Sequence, residues 1–347
     1  MPRLAFCLAV LALSGCTATR PAAVTFATDA EPVALAAWAG DVAVARADGV
    51  EVVARGVSSS VAGLSGRPLA LAAAPEALYV GTTEGLFAVD APGEAARPVA
   101  LPDSAGAPVG AAPVVMAVAV GSDGRLWAGT RDGGAFVRSA SGPGASGPGA
   151  SGPGASGTWT RALDVAPITA LVAAPDGSVW AGSHVGLFHG GRPGEAWLRY
   201  KEEGTANLSL PDNVVDALAR GTGGAIWVGT PSATAVVEAD EAHPREFSVL
   251  GRRGGVLLDA APLGGGTLLA TSVGLMWLPA LAHEAEGGLR EIFSDESVGA
   301  RLLSDADAGT PEALRGDAPT RLLADGRTVW LASRRGLWTV GGVPEAP

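Results

Sequence analysis

One short pattern recurs along the chain and constrains the fold more than any other feature. Five copies are plain: Leu78-Tyr79-Val80-Gly81-Thr82, Leu126-Trp127-Ala128-Gly129-Thr130, Val179-Trp180-Ala181-Gly182-Ser183, Ile226-Trp227-Val228-Gly229-Thr230 and Val329-Trp330-Leu331-Ala332-Ser333. Two are degraded, Val42-Ala43-Val44-Ala45-Arg46 and Thr267-Leu268-Leu269-Ala270-Thr271. In six of the seven copies a glycine follows the aromatic position by six residues: Gly49, Gly85, Gly133, Gly186, Gly274 and Gly336. The aromatic positions are 43, 79, 127, 180, 227, 268 and 330, giving gaps of 36, 48, 53, 47, 41 and 62 residues. Each unit reads as an apolar strand such as Ile168–Ala174, a tight turn such as Asp176-Gly177, the aromatic strand, a third strand opening at the glycine, and a looser fourth strand. Asp-Gly suits a type I′ hairpin, whose two central residues both need positive φ.

A period in the forties with four short strands per unit is propeller spacing. The expected fold class is all-β, a single β-propeller of seven four-stranded blades over residues 23–343. Large tryptophans among small neighbours suit wedge-shaped packing between sheets, which assigns them to the core rather than to a ligand-stacking platform. The last unit supplies strands near Thr320–Ala324, Thr328–Ser333 and Gly336–Gly341 and leaves no room for a fourth before Pro347. Ala23–Thr28 is apolar and β-prone, and is expected to complete the last blade and close the ring, removing a free edge.

Composition agrees with many short strands: 50 glycines and 25 prolines mark turns, and 48% hydrophobic against 17% charged residues is globular. A net charge of −11 lacks the basic footprint of a phosphate-backbone binder, so nucleic acid is not an expected partner.

Ser209-Leu210-Pro211-Asp212-Asn213-Val214-Val215, continued by Gly223-Gly224-Ala225-Ile226-Trp227-Val228-Gly229-Thr230, closely resembles the two-component regulator propeller repeat. That repeat runs roughly Leu-Pro-x-Asn-x-Val, then Asp-Gly-x-Ile/Leu-Trp-x-Gly-Thr-x-x-Gly-Leu. The resemblance covers essentially residues 30–341. It departs from the pattern at Ala233, where a glycine is missing, and at Leu268, where the tryptophan is. It implies a sensory or signalling-associated role. The chain shows no transmembrane, kinase or DNA-binding segment, so the output is expected in a partner protein.

At the N-terminus, Arg3 precedes an unbroken apolar run from Leu4 to Leu13. About 20 such residues are needed to span a membrane, so this run reads as a signal peptide. It ends in Leu13-Ser14-Gly15-Cys16, which resembles the bacterial lipobox. The resemblance implies cleavage after residue 15, lipidation of Cys16, and a tether over residues 16–22. Thr17, in place of a retention aspartate, favours the outer membrane, with the domain facing the periplasm or the cell surface. Cys7 would leave with the signal, so the folded domain holds no cysteine for disulfides or zinc-thiolate sites.

Two insertions stand out. Residues 142–156 are three copies of Gly-Pro-Gly-Ala-Ser, a flexible tract expected between the third and fourth strands of blade three. Residues 294–317 carry Asp295, Glu296, Asp305, Asp307, Glu312 and Asp317 against Arg301 and Arg315, and are expected as an acidic loop between blades six and seven, with room for a short helix near Glu312–Arg315.

In a propeller the loop leading into each blade and the turn between its second and third strands share one face. Those turns carry Asp48, Glu84, Arg131, Asp132, His184, Arg334 and Arg335, a rim of mixed charge suited to a polar or zwitterionic group. No nucleophile elbow, His-Glu-x-x-His or phosphate loop occurs, and the catalytic set is expected to be empty. No cofactor is expected. The alternative is a channel calcium on Asn213, Asp216 and Asp259, as in propeller lactonases. The leading expectation is thus a monomeric, lipid-anchored envelope module that binds a protein or glycan on its loop-rich face. A metal-dependent propeller hydrolase or lyase, and a structural envelope-assembly factor, are the alternatives.

Overall fold

The computed structural model describes residues 24–25, 30–102, 112–139, 158–202, 210–237, 245–247, 255–263, 265–272, 274–279, 301–303, 319–325, 328–334 and 336–341. They form seven four-stranded antiparallel sheets arranged as propeller blades. Blade one is β2 (Pro32–Trp38), β3 (Asp41–Arg46), β4 (Gly49–Ala54) and β5 (Val57–Ser60). Blade two is β6 (Pro68–Ala74), β7 (Ala77–Thr82), β8 (Gly85–Val89) and β9 (Arg97–Val99). Blade three is β10 (Val115–Val120), β11 (Leu126–Thr130), β12 (Ala135–Arg138) and β13 (Trp159–Leu163). Blade four is β14 (Ile168–Ala173), β15 (Val179–Ser183), β16 (Gly186–Gly190) and β17 (Leu198–Tyr200). Blade five is β18 (Ala217–Arg220), β19 (Ile226–Gly229), β20 (Thr234–Val237) and β21 (Arg245–Phe247). Blade six is β22 (Leu257–Leu263), β23 (Gly266–Thr271), β24 (Gly274–Pro279) and β25 (Arg301–Leu303). Blade seven is β26 (Arg321–Asp325), β27 (Thr328–Ala332) and β28 (Gly336–Gly341), completed by β1 (Val24–Thr25).

The expected closure is present and short. Val24 pairs with Leu337 and Thr25 with Gly336, so the N-terminal segment is the outer strand of the last blade. Among the described residues no helix is long and apolar enough to cross a membrane.

The repeated motif has a physical reading at each position. Trp127, Trp180, Trp227 and Tyr79 are buried in the seams between blades, as the sequence implies. The glycine two residues on leaves space for the first residue of the next blade. A Cβ on Gly182 would lie 2.7 Å from Val215 Cγ1, and one on Gly81 would lie 2.8 Å from the Val115 carbonyl. The Thr or Ser after it closes the following turn: Thr82 Oγ1 donates to the Gly85 carbonyl at 3.1 Å, and Ser183 Oγ to that of Gly186 at 2.9 Å. Gly85 and Gly186 take φ of 125° and 130°, which L side chains resist. Ala233 holds the equivalent place in blade five, accepting the Thr230 hydroxyl at 2.7 Å. In blade three the turn is one residue longer, and Gly134 rather than Gly133 accepts the Thr130 hydroxyl.

Two expectations need correction. The Asp176-Gly177 turn is not type I′, because only Gly177 has positive φ, at 83°. It is a three-residue loop closed by Gly177 N–H to the Ala174 carbonyl and by Ala174 N–H to the Ser178 carbonyl. Among the described residues the adjacent pairs with both φ positive are Ala39-Gly40 and Arg55-Gly56 in blade one and Gly223-Gly224 in blade five. Finally, residues 294–317 are not wholly inter-blade, since Arg301–Leu303 pairs with Leu275–Trp277 as the outer strand of blade six. The tract at 142–156, Glu312–Arg315 and Cys16 lie outside the described residues.

Candidate functional site

The inner strand of each blade begins at the loop-rich face. There β2, β6, β10, β14 and β22 each carry a β-bulge after their first residue. A bulge puts one unpaired residue into the strand and re-aims its side chain. The unpaired residues are Val33, Leu69, Met116, Thr169 and Leu258. Register places Asp216 and Thr320 at the same position in blades five and seven, because Ala217 pairs with Gly229 and Arg321 with Ala332. Each of the seven follows a buried residue and is itself partly or fully exposed. Together they occupy one register position, a collar at the loop-rich ends of the inner strands: four apolar side chains, two threonines and one carboxylate, of which Val33 and Leu258 pack in part against the blade cores and Thr169 donates its hydroxyl to the Val215 carbonyl.

Sequence inspection missed this collar as a set, although its residues lie ten or eleven positions before the aromatic position of every unit. Alternation along a strand says nothing about a bulge, whose extra residue breaks the period.

One residue further in, the position is alanine in five blades (Ala34, Ala70, Ala117, Ala170 and Ala217) but Asp259 in blade six and Arg321 in blade seven. Arg321 reaches back into the collar. Its Nε donates to the Val33 carbonyl at 2.7 Å, and its Nη1 to the carbonyls of Thr320 at 2.6 Å and Leu258 at 3.5 Å. Three collar residues on three blades are thereby tied by one guanidinium. Asp259 accepts the N–H of Leu322 across the seam at 2.9 Å and that of Ala260 at 2.8 Å. Burial pushes its carboxyl up to about 6, against the lowering effects of Arg321 and the two N–H donors. Inner-strand edges present unpaired backbone groups, and this pair of side chains satisfies several of them.

The alternative calcium set is split by these roles. Asp259 is engaged with backbone N–H groups. Asn213 lies in the loop leading into blade five, where its Oδ1 accepts the Glu202 N–H at 2.9 Å. Asp216 is exposed in the collar, its carboxyl raised by burial and by Asp212 and lowered by nearby His184. Among the described residues no group of three or more His, Cys, Asp or Glu side chains could hold a metal ion.

The rim surrounds the collar. Backbone N–H groups of Thr83, Arg131 and Ser272, in three of the turns, donate to the carbonyls of Arg67, Val114 and Val256 at the starts of the inner strands. Asp48, Glu84, Arg131, Asp132, His184 and Arg334 are all exposed. Glu84 accepts the Ser65 hydroxyl, Arg131 pairs with Asp132 at 3.2 Å, and Arg334 pairs with Glu31 at 3.5 Å. Arg335 lies outside the described residues. His189 is set apart in β16, stacked on Trp180 with centroids 4.0 Å apart and bonded through Nε2 to Ser178 Oγ at 2.9 Å.

No family model and no curated protein matches the chain. Solved structures do match its fold. The extracellular domain of a hybrid two component system from B. thetaiotaomicron superposes at TM-score 0.61 and 13% identity, covering 92% of this chain and 39% of that one. PorZ, described as a bacterial surface component of the type-IX secretion system of Porphyromonas gingivalis, aligns at TM-score 0.58 and 14% identity over 88% and 46% of the two chains. Virginiamycin B lyase from Staphylococcus aureus aligns at TM-score 0.61 and 10% identity over 92% and 98%. The chain thus spans about two fifths of the length of its two-component neighbour. At such identities the likeness is one of fold alone.

Proposed function

We propose that this protein is a lipid-anchored recognition module of the cell envelope that binds a protein or glycan ligand on the loop-rich propeller face. The observation that carries the reading is the collar. Bulges in five blades and register in the other two bring partly exposed apolar side chains, Asp216 and the Arg321 guanidinium to the loop-rich ends of the inner strands, beside turns of exposed charge. A mostly apolar surface with a few placed polar groups suits recognition of a ligand. A sensory role is supported by the repeat pattern and by neighbours that are extracellular two-component domains, with output in a separate partner. Export and anchoring rest on Leu13-Ser14-Gly15-Cys16.

The test is capture from the native envelope by the mature domain, compared with a variant altered at Arg131, His184 and Arg335. Loss of a specific partner in the variant supports the rim. Equal recovery moves the site elsewhere. Cys16→Ala should abolish incorporation of labelled fatty acid and release the protein from the membrane fraction; label retained in that variant would overturn the anchor.

A further inference from the structure

A sheet edge offers unpaired N–H and C=O groups, and proteins usually blunt it with charge, proline or a very short strand. Six of the seven outer strands do so here. β9 carries Arg97 and Pro98, β13 Arg161, β17 Arg199, β21 Arg245 and Glu246, and β25 Arg301, while β1 is two residues long. The outer strand of blade one, β5, has none of these devices. Its residues Val57, Ser58, Ser59 and Ser60 are all exposed, Val57 by 70%.

The ladder fixes which groups are free. Val61 extends the pairing, its N–H donating to the Val50 carbonyl at 2.9 Å. Residues 57, 59 and 61 thus turn their backbone groups inward to β4, and alternation turns those of Ser58 and Ser60 outward. Val57, Ser59 and Val61 share the sheet face of Val50 and Val52, which pack with Leu71 and Leu78 of blade two. Ser58 and Ser60 share the face of Val53, which packs with Leu337 of blade seven.

The segment Val57-Ser58-Ser59-Ser60-Val61 reads the same in both directions. An antiparallel copy centred on Ser59 sets Ser58 opposite the second copy's Ser60, Ser59 opposite Ser59, and Val57 opposite Val61. In that register the outward groups meet, and each Ser58–Ser60 pair exchanges both of its N–H···O=C bonds. Each exposed Val57 covers a partly buried Val61.

We propose that two copies of this chain, rather than the monomer expected from the sequence, pair edge to edge through β5 about a two-fold axis at Ser59. Such an interface is isologous and closes at two copies. It is smaller than stable interfaces are, so the pair is weak in solution and favoured where copies are concentrated. The dyad of an antiparallel strand pair is perpendicular to the sheet, and blade seven lies on one side of blade one. Both copies of blade seven, each holding an N-terminal strand, therefore fall on the same side of the pair. Two copies anchored in one bilayer can meet this way, a consequence that alone rests on the lipid-anchor reading.

Opposite residues of a non-hydrogen-bonded antiparallel pair have Cα atoms about 4.5 Å apart, within the span of a disulfide. In the full chain, in its own envelope under mild oxidant, Ser59→Cys should give a linked species of twice the chain mass. It should form at least about tenfold faster than with Leu198→Cys, on the exposed outer strand of blade four. Ser58→Cys, whose symmetry mate lies on the diagonal about 7–8 Å away, should link no faster than Leu198→Cys. The parent chain, with Cys7 and Cys16, sets the background. Adding Ser58→Pro to Ser59→Cys removes half of the inter-copy bonds and none to β4, so linking should fall to the Leu198→Cys rate with the urea midpoint kept. Ser60→Pro serves the same purpose if that variant fails to fold. In purified full chain, the amide signals of Ser58 and Ser60 should move with protein concentration, lipidated or not.

Linking through Ser59→Cys no faster than through Leu198→Cys would overturn the pairing. So would equal linking through Ser58→Cys, linking that survives both proline variants, or a product that contains a different protein. Capture of a partner through the rim is independent of all these results.

Discussion

Asp259→Asn should make the protein markedly less sensitive to pH between about 4 and 6. Asp259 has a folded value of about 6 against an ordinary 3.8. The native state therefore holds a proton that the unfolded chain has released, and stability falls as pH rises through that window. About two units at 1.36 kcal/mol each is ~3 kcal/mol, an upper figure because Asp259 is only partly shielded from the mouth. Asparagine keeps an acceptor for the Leu322 N–H and cannot ionise. It gives up the second acceptor facing Ala260, at a cost of about 1 kcal/mol. The chain holds 35 Asp and Glu residues, so either protein alone will show a complicated pH profile. The difference between the two cancels the rest. Urea midpoints followed by tryptophan fluorescence from pH 4 to 7.5 should show the variant gaining on the wild type as pH rises, by as much as ~2–3 kcal/mol. Parallel profiles would refute the reasoning, since they would mean that Asp259 titrates alike in folded and unfolded chains.

Removal of residues 23–28 leaves blade seven without β1 and should lower the melting temperature by about 5 °C or more; an unchanged value would sink the closure argument. Arg125 donates to the carbonyls of Gly191 at 2.5 Å and Gly177 at 2.8 Å and lies 5.4 Å over Trp127, clamping blade three to blade four. Arg125→Ala should cost roughly 2 kcal/mol in denaturant unfolding, and lysine, lacking the planar fork, should recover little of it. Gly182→Ala drives a methyl into Val215 and should cost roughly 1–3 kcal/mol. Adding Val215→Ala should make the pair less destabilised than the sum of the two, which a double-mutant cycle in urea will report.

The repeat was enough to place blades because each motif position answers a need that is local or one blade away. A buried ring needs a large side chain at Trp180, the next inner strand needs space at Gly182, and the turn needs the Ser183 hydroxyl. These needs recur from blade to blade, plainly in five copies and weakly in two, so they leave a periodic trace. Closure was readable for a similar reason: three strands in the last unit and one unpaired apolar segment at the start can be matched by counting. Turn type was not, because Asp176-Gly177 satisfies several loop geometries and the flanking strands choose among them. The strand inside the acidic segment, Arg301–Leu303, was hidden because its only requirement is an open edge on β24.

The rim turns were legible in the sequence, but the collar was not. Val33, Leu69, Met116, Thr169, Asp216, Leu258 and Thr320 differ in chemistry and share only a register, so no residue type announces them. The sequence by itself determined an all-β ring of seven blades, its closing strand and the positions of its core aromatics, since burial and backbone pairing act on every repeat alike. Only the tertiary structure decided which side chains meet at the mouth. Arg321 meets Val33 from 288 positions away, and that contact exists because the ring closes.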